Sequence, residues 1–183
     1  KKSAFEAVTY GRKVADLVGS TCKAITLGTV ENSGELGIYG AQEVYNLNDS
    51  VLNSFDSQVY ASALADTFTQ LGGTILILSH SAIGKSLTGR LSVKLGAGSV
   101  SGASGLPDVT VGFVVPKSVY SGKATAFYDI TSDKKVVSVM GNAIKFEKTG
   151  NVVDVKDLAV TVLQPKVTVI ERKTVSGVVP LPE

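Results

Sequence analysis

The sequence contains one cysteine and one histidine among its 183 residues. A solitary Cys22 excludes an internal disulfide framework and any multi-cysteine metal centre, which agrees with a reducing compartment. It lies in the apolar run CKAITLG and reads as a buried core thiol rather than a reactive one. With His80 the sole imidazole, there is no ligand set for a catalytic transition-metal site, and any Ser-His-acid arrangement would have to use that residue. Charge is sparse as well: 18 basic and 16 acidic residues, scattered along the chain, give a formal +2. Dense Lys/Arg clusters with interleaved aromatics are missing, which argues against nucleic acid as a partner. Apolar runs fall far short of the roughly 20 residues of a membrane span, and the start lacks the pattern of a signal peptide. The expectation is a soluble, intracellular protein without membrane insertion.

What is present is apolar: 44% of the residues are hydrophobic, enough for one good core and one domain. KKSAFEAVTYGRKVADLVGS places Phe5, Val8, Val14, Ala15, Leu17 and Val18 in a broad stripe at helical spacing. Residues 22–28 read as a buried strand, ENSGELGIYG as a short helical turn closing on Gly40, and residues 43–48 as a second strand. Val59, Ala63, Leu64, Phe68 and Leu71 share one face of a helix stopped by Gly72 and Gly73, TILILS forms a third strand, and a helix follows over residues 84–95. Strands alternating with helices predict a parallel sheet covered on both faces. From Pro107 onward the helical period fades. TVGFVV, KATAFYDI, KVVSVM, LAVTVL and VTVIERKTV, separated by turns such as TSDKK and KTGN, predict antiparallel hairpins or meanders extending that sheet. A helix at the start with no strand before it, and a Pro-containing segment at the end, suggest a fragment or trimmed domain.

TILILSHSAIGKSLTGRL, residues 74–91, has the strand, loop and helix order in which a phosphate-binding loop sits. The pattern G-x-x-x-x-G-K-[ST] requires glycine at position 79, however, and Ser79 stands there, so the match is partial. Lys85 and Arg90 flank this turn, as anion or partner contacts or as solvated charges on an amphipathic helix. GAGSVSGASG does not fit G-x-S-x-G with a central serine, and G-x-G-x-x-G is missing from any strand-to-helix setting, so neither a nucleophile elbow nor a dinucleotide fingerprint is present. Ser132 to Lys135 fits S-x-x-K and Lys148 to Gly150 spells K-T-G, but both fall in expected hairpin turns a few residues apart, so the pair is coincidental.

Taken together, KKSAFEAVTYGRKVADLVG, LGIYGAQEVYNLND, ILILSHSAIGKSLTGRLSVKLGAGSVSGA and VYSGKATAFYDI resemble the amino-terminal domain of the electron transfer flavoprotein alpha subunit. SHSAIGKS resembles that family's strand-to-helix turn better than a Walker loop. Three departures suggest a divergent branch and bear on partner choice: Gly89 precedes Arg90 where proline is common, Lys123 follows YSG where asparagine is usual, and SVMGNAIKF lacks an arginine often seen after its strand. The resemblance implies an α/β fold in three layers, a mostly parallel sheet of the adenine-nucleotide-hydrolase or Rossmann-like type extended by antiparallel strands. It implies residues 1–176 as the domain, with a preceding first strand that would fill an apolar groove or edge, and residues 177–183 as the start of a linker to an FAD-binding domain. It further implies a heterodimer with a beta subunit, carrying one FAD between acyl-CoA dehydrogenases and a quinone oxidoreductase or similar acceptor, in bacterial cytoplasm or the mitochondrial matrix. The FAD would be held mainly by the carboxyl-terminal domain, so no catalytic, cofactor-binding or metal-binding residue is expected here. The competing expectation is a nucleotide-binding α/β protein that uses the Ser79–Ser86 turn for phosphate.

Overall fold

A computed structural model describes residues 2–167 and 169–171. Helix α1 spans Lys2–Leu17, and strand β1 (Lys23–Leu27) leads through a 3-10 turn at Ser33–Tyr39 to β2 (Glu43–Leu47). Helix α2 covers Ser57–Gln70, β3 Ile75–Ser79, α3 Ala82–Leu95 and β4 Gly98–Ala103. The second half supplies β5 (Val114–Val119), β6 (Ala124–Asp129), β7 (Lys135–Val139) and β8 (Val155–Asp157). Local chemistry sets the helix starts. The Asp56 carboxylate accepts hydrogen bonds from the Gln58 and Val59 N–H groups at 2.8 and 3.0 Å, and the Ser81 hydroxyl accepts one from Gly84 at 3.2 Å.

The sheet is parallel and flanked by helices, as the alternation predicts, in two hydrogen-bonded runs: β1-β2-β8 and β3-β7-β4. On one face Leu64 and Phe68 of α2 and Leu87, Leu91 and Leu95 of α3 pack on Leu76 and Val136. On the other, Tyr10 and Val14 of α1 join Val100, Val137, Val139 and the hairpin residues Phe113 and Val115. The antiparallel extension is the β5–β6 hairpin, in register from Val114 opposite Asp129 to Val119 opposite Ala124.

Several expectations from sequence need correction. KVVSVM is no part of an antiparallel meander: β7 lies parallel between β3 and β4, where covered faces and two paired edges call for a continuous apolar run. The glycine- and serine-rich stretch after α3 contains β4. LAVTVL forms no strand; Leu158, Val160 and Val162 instead pack on Leu47, Leu52 and Val59, and the short parallel strand is β8, just upstream. Helix α3 begins at Ala82, two residues before the expected start. Leu17 and Val18 are exposed at the end of α1; the stripe's buried members are Val14 and Ala15, and Tyr10, outside the expected stripe, is buried with them. VTVIERKTV lies largely, and the expected linker at 177–183 wholly, outside the described residues.

After β7 the chain crosses α1 and settles on the 3-10 turn. Phe146 meets the stacked pair Phe5–Tyr39, Lys13 bonds Glu147 at 2.9 Å, and the Thr149 and Gly150 N–H groups both donate to the Ile38 carbonyl. Gly37 permits this approach, because a Cβ there would strike the Asn151 carbonyl oxygen and crowd Val153. Gly37→Val should therefore lift residues 149–153 off the turn at a cost of about 1–3 kcal/mol. Calorimetry should show Tm falling by several degrees, with faster amide exchange at Gly150 and Val153.

Candidate functional site at the carboxyl edge of the sheet

Ligands of open α/β proteins bind beyond the carboxyl ends of the strands, and here that edge carries the turn from β3 to α3. Only His80 and Ser81 connect the two elements. Residues 82–86, which a phosphate-cradling loop would need as irregular backbone, already belong to the helix. Gly84 has a packing reason: a Cβ on it would collide with the Ser79 carbonyl oxygen, where the helix folds back on the strand end. Its N–H is taken by the Ser81 cap. Lys85 in the first turn and Arg90 in the third are both exposed.

Beside this turn three strands bring polar groups together. His80 Nδ1 lies 2.9 Å from the hydroxyl of Ser138 on β7, and that hydroxyl also accepts from the Gly102 N–H on β4 at 3.1 Å. Ser138 is fully buried, so both bonds count: a hydroxyl among valines without partners would cost about 1–3 kcal/mol. Gly102 sits where the β4–β7 register slips, and the Met140 side chain closes the cluster on its outer side. Partial burial, with Lys85 and Lys117 nearby, holds the His80 pKa below its ordinary value and keeps the ring neutral near pH 7. Among the described residues its hydrogen-bond partner is a hydroxyl and not a carboxylate. The arrangement therefore joins the strand ends and lacks the acid of a hydrolytic triad. Sequence reasoning singled out His80 but missed Ser138 and Gly102. The available signal was a serine interrupting the apolar run KVVSVM.

The other motifs resolve into structural roles. The Ser132 hydroxyl accepts from the Gly98 N–H and donates to the Lys134 carbonyl, both at 2.7 Å, and the Lys135 ammonium reaches the Ser132 carbonyl. Lys148-Thr149-Gly150 docks on Ile38 of the 3-10 turn, so the S-x-x-K and K-T-G stretches serve different parts of the fold. Cys22 is buried, which pushes its thiol pKa up to about 11 and away from thiolate chemistry. A polar cleft of about 310 Å3 separates α1 from residues 147–153, but its cations are already paired, Arg12 with Asp16 at 2.8 Å and Lys13 with Glu147 at 2.9 Å. No group of three His, Cys, Asp or Glu side chains among the described residues is placed to hold a metal ion. No helix among them is long and apolar enough to cross a membrane.

Comparison with known proteins adds what geometry alone does not. Residues 1–163 match the electron transfer flavoprotein domain. The electron transfer flavoprotein subunit alpha of Bacillus subtilis is 27% identical over 187 aligned positions, taking in 95% of this chain and 55% of that protein. The acryloyl-CoA reductase electron transfer subunit beta of Anaerotignum propionicum is 32% identical over 51% of this chain and 26% of its own length. Protein FixB of Azotobacter vinelandii is 29% identical over 53% of this chain and 28% of its own length. The chain thus spans about half, or less, of the length of these relatives.

The His80 cluster yields a pH test. Because its folded pKa lies below the unfolded value near 6.5, the unfolded chain binds the extra proton first. Stability is full above pH 6.5 and is lost as pH falls toward the folded pKa. Urea unfolding at pH 7.5 and pH 5 should show a smaller loss for His80→Asn than for the parent chain. Equal losses would remove His80 as the source.

Proposed function

The chain belongs to the electron transfer flavoprotein domain family, and from that membership we propose that it is the amino-terminal scaffold domain of an alpha subunit. In this reading the complete protein is a heterodimer with a beta subunit, and one FAD carries electrons from acyl-CoA dehydrogenases to a quinone oxidoreductase or similar acceptor. The observation that carries the proposal is the family match along residues 1–163. In this reading the flavin performs the redox step, leaving to the protein binding, orientation and electrostatics.

The β3–α3 turn does not fit the pyrophosphate of FAD. A pyrophosphate needs free N–H groups on an open loop, and at the β3–α3 turn the connection is two residues long and its helix amide is capped by Ser81. The flavin is therefore assigned to a domain that follows, with residues 177–183 as the start of the linker. The exposed β6 strand carries Phe127, 70% accessible, an aromatic side chain of the kind that protein partners bury. We assign this face to the beta subunit.

The experiment that tests the reading is purification of the complete native gene product, with its visible spectrum and the masses of copurifying chains. A flavin spectrum and a second, beta-like chain are expected, while the 183-residue chain mixed with FAD and desalted should be colourless. Flavin retained stoichiometrically by that chain alone would overturn the division between domains. Phe127→Ser should weaken copurification of the second chain by roughly tenfold or more while leaving the domain's own melting temperature within about a degree. Millimolar ATP should leave the melting curve unchanged; a shift abolished by Lys85→Ala would establish the nucleotide-binding alternative at Ser79–Ser86 instead.

A further inference from the structure

Helix α3 keeps Gly84, Leu87, Thr88, Leu91 and Leu95 on its buried side. On the opposite side Ala82, Ser86, Gly89 and Val93 are all exposed, Val93 at 83%. Their spacing of four, three and four residues is that of a coiled-coil seam, so at about 100° per residue they line up as one narrow stripe of small or apolar groups. Lys85 flanks the stripe on one side, and Arg90 and Lys94 flank it on the other. The domain's own stability does not account for this face. Lys94 suits the negative end of the helix dipole, but Lys85 adds a positive charge to the first turn, where the dipole is already positive and no acid offsets it. Gly89 sits inside an exposed helix, where alanine would be more stable, and a Cβ on it would meet nothing within 4 Å. Between Asp66 and Asp108 the chain carries no acidic residue, and among the described residues none of the three cations is in an ion pair.

We infer that the outer face of α3 is a docking surface for a helix of a partner protein, one whose own narrow apolar stripe is flanked by Asp or Glu. Charge complementarity selects the acidic flanks, since cations border the seam on both sides and lack partners within the domain. The small groups select a helix. With Ala82, Ser86 and Gly89 at the contact, a second helix axis can approach to about 8 Å, the close end of helix packing. Covering the seam strands no polar atom either, because the Ser86 hydroxyl already donates to the Ile83 carbonyl at 2.8 Å. A second copy of this chain does not suit the face, as two α3 seams set together would oppose cation to cation. A lipid surface suits it less well, for Val93 and the flanking Ile83 are the only large apolar side chains exposed on the helix. This inference stands independently of the electron-carrier reading, because it uses only the helix and its charges.

The test titrates the full chain with two synthetic helical peptides of about three heptads, identical in an Ala/Leu seam and carrying either Glu or Lys at the flanking positions, and follows the amide NMR signals. The Glu peptide should shift the amides of residues 82–94 and bind at least about tenfold more tightly than the Lys peptide, with an affinity that falls as salt is raised. Arg90→Glu should weaken that binding by about tenfold or more. Gly89→Gln should raise Tm, through helix propensity, and yet abolish binding by blocking the seam. A purely structural Gly89 would not give that pair of results. Equal binding of the two peptides, or shifts confined to other elements, would overturn the proposal. So would binding to phosphatidylserine vesicles that Arg90→Glu removes while neither peptide binds, which would give the face to lipid, or a parent dimer that Gly89→Gln dissociates, which would give it to a second copy.

Discussion

Strand β7 has both edges hydrogen-bonded and both faces covered, and the placing of the second half of the chain depends on it. It pairs with β3 from Ile75 opposite Lys135 to Ser79 opposite Val139, and with β4 on its other side. Val136 and Val137 are fully buried against opposite layers, α2 and α3 on one side and α1 with the hairpin on the other, at about 1.5–3 kcal/mol for each side chain. Since β7 arrives roughly 60 residues after β3, this contact carries a loop-closure cost that only a continuous apolar strand can offset. Ser138 is the one polar side chain in that buried stretch, and the neutral imidazole of His80 and the Gly102 N–H satisfy it. The same bonds tie the ends of β3, β4 and β7 together.

The β3–α3 turn shapes what the domain can do. Helix α3 starts two residues after β3 ends, its first free amide is capped from within the turn, and the neighbouring cations Lys85 and Lys117 act on a histidine that stays uncharged near pH 7. Chemistry carried by a separately bound cofactor asks only for a stable platform, and the buried polar groups here serve packing.

How far the sequence was legible differs element by element. The three helices and β1 to β3 were readable because each carries its own period and its own stop, as at Gly72 and Gly96. Strand β4 was not, since GSVSGA lacks the β-branched run that marks a strand; its pairing is imposed by β7. KVVSVM was readable as a strand but not as a parallel one, because a short apolar run does not encode the direction of its neighbour. LAVTVL alternates convincingly, yet the apolar side chains of its three alternate positions are used by packing on Leu47, Leu52 and Val59 without a ladder. At the turn, Ser79 in place of glycine was enough to weaken the phosphate-loop reading, and the Gly84 contact with the Ser79 carbonyl gives the reason a glycine stands in GKS. The Ser138 cluster was illegible because it joins three strands distant in sequence.

Helix α1 binds the two halves of the sheet. Tyr10 and Val14 pack with Ile75, Ile77 and Val137 in one half, and Val8 packs with Ala24 and Val44 in the other. The segment after β7 then closes over it through Phe146, against Phe5 and Tyr39, and through backbone bonds to Ile38 and Gly34. Its ion pairs add little: Lys13 and Glu147 are about a third and a half exposed, and such pairs contribute about 0–1 kcal/mol. The coupling between halves therefore rests on apolar contact and main-chain hydrogen bonds, which salt does not screen. With β1 and β3 not paired as strands among the described residues, α1 with its overlying segment on one face and α2, which packs on Ile25, Leu27 and Leu76, on the other hold the two runs together.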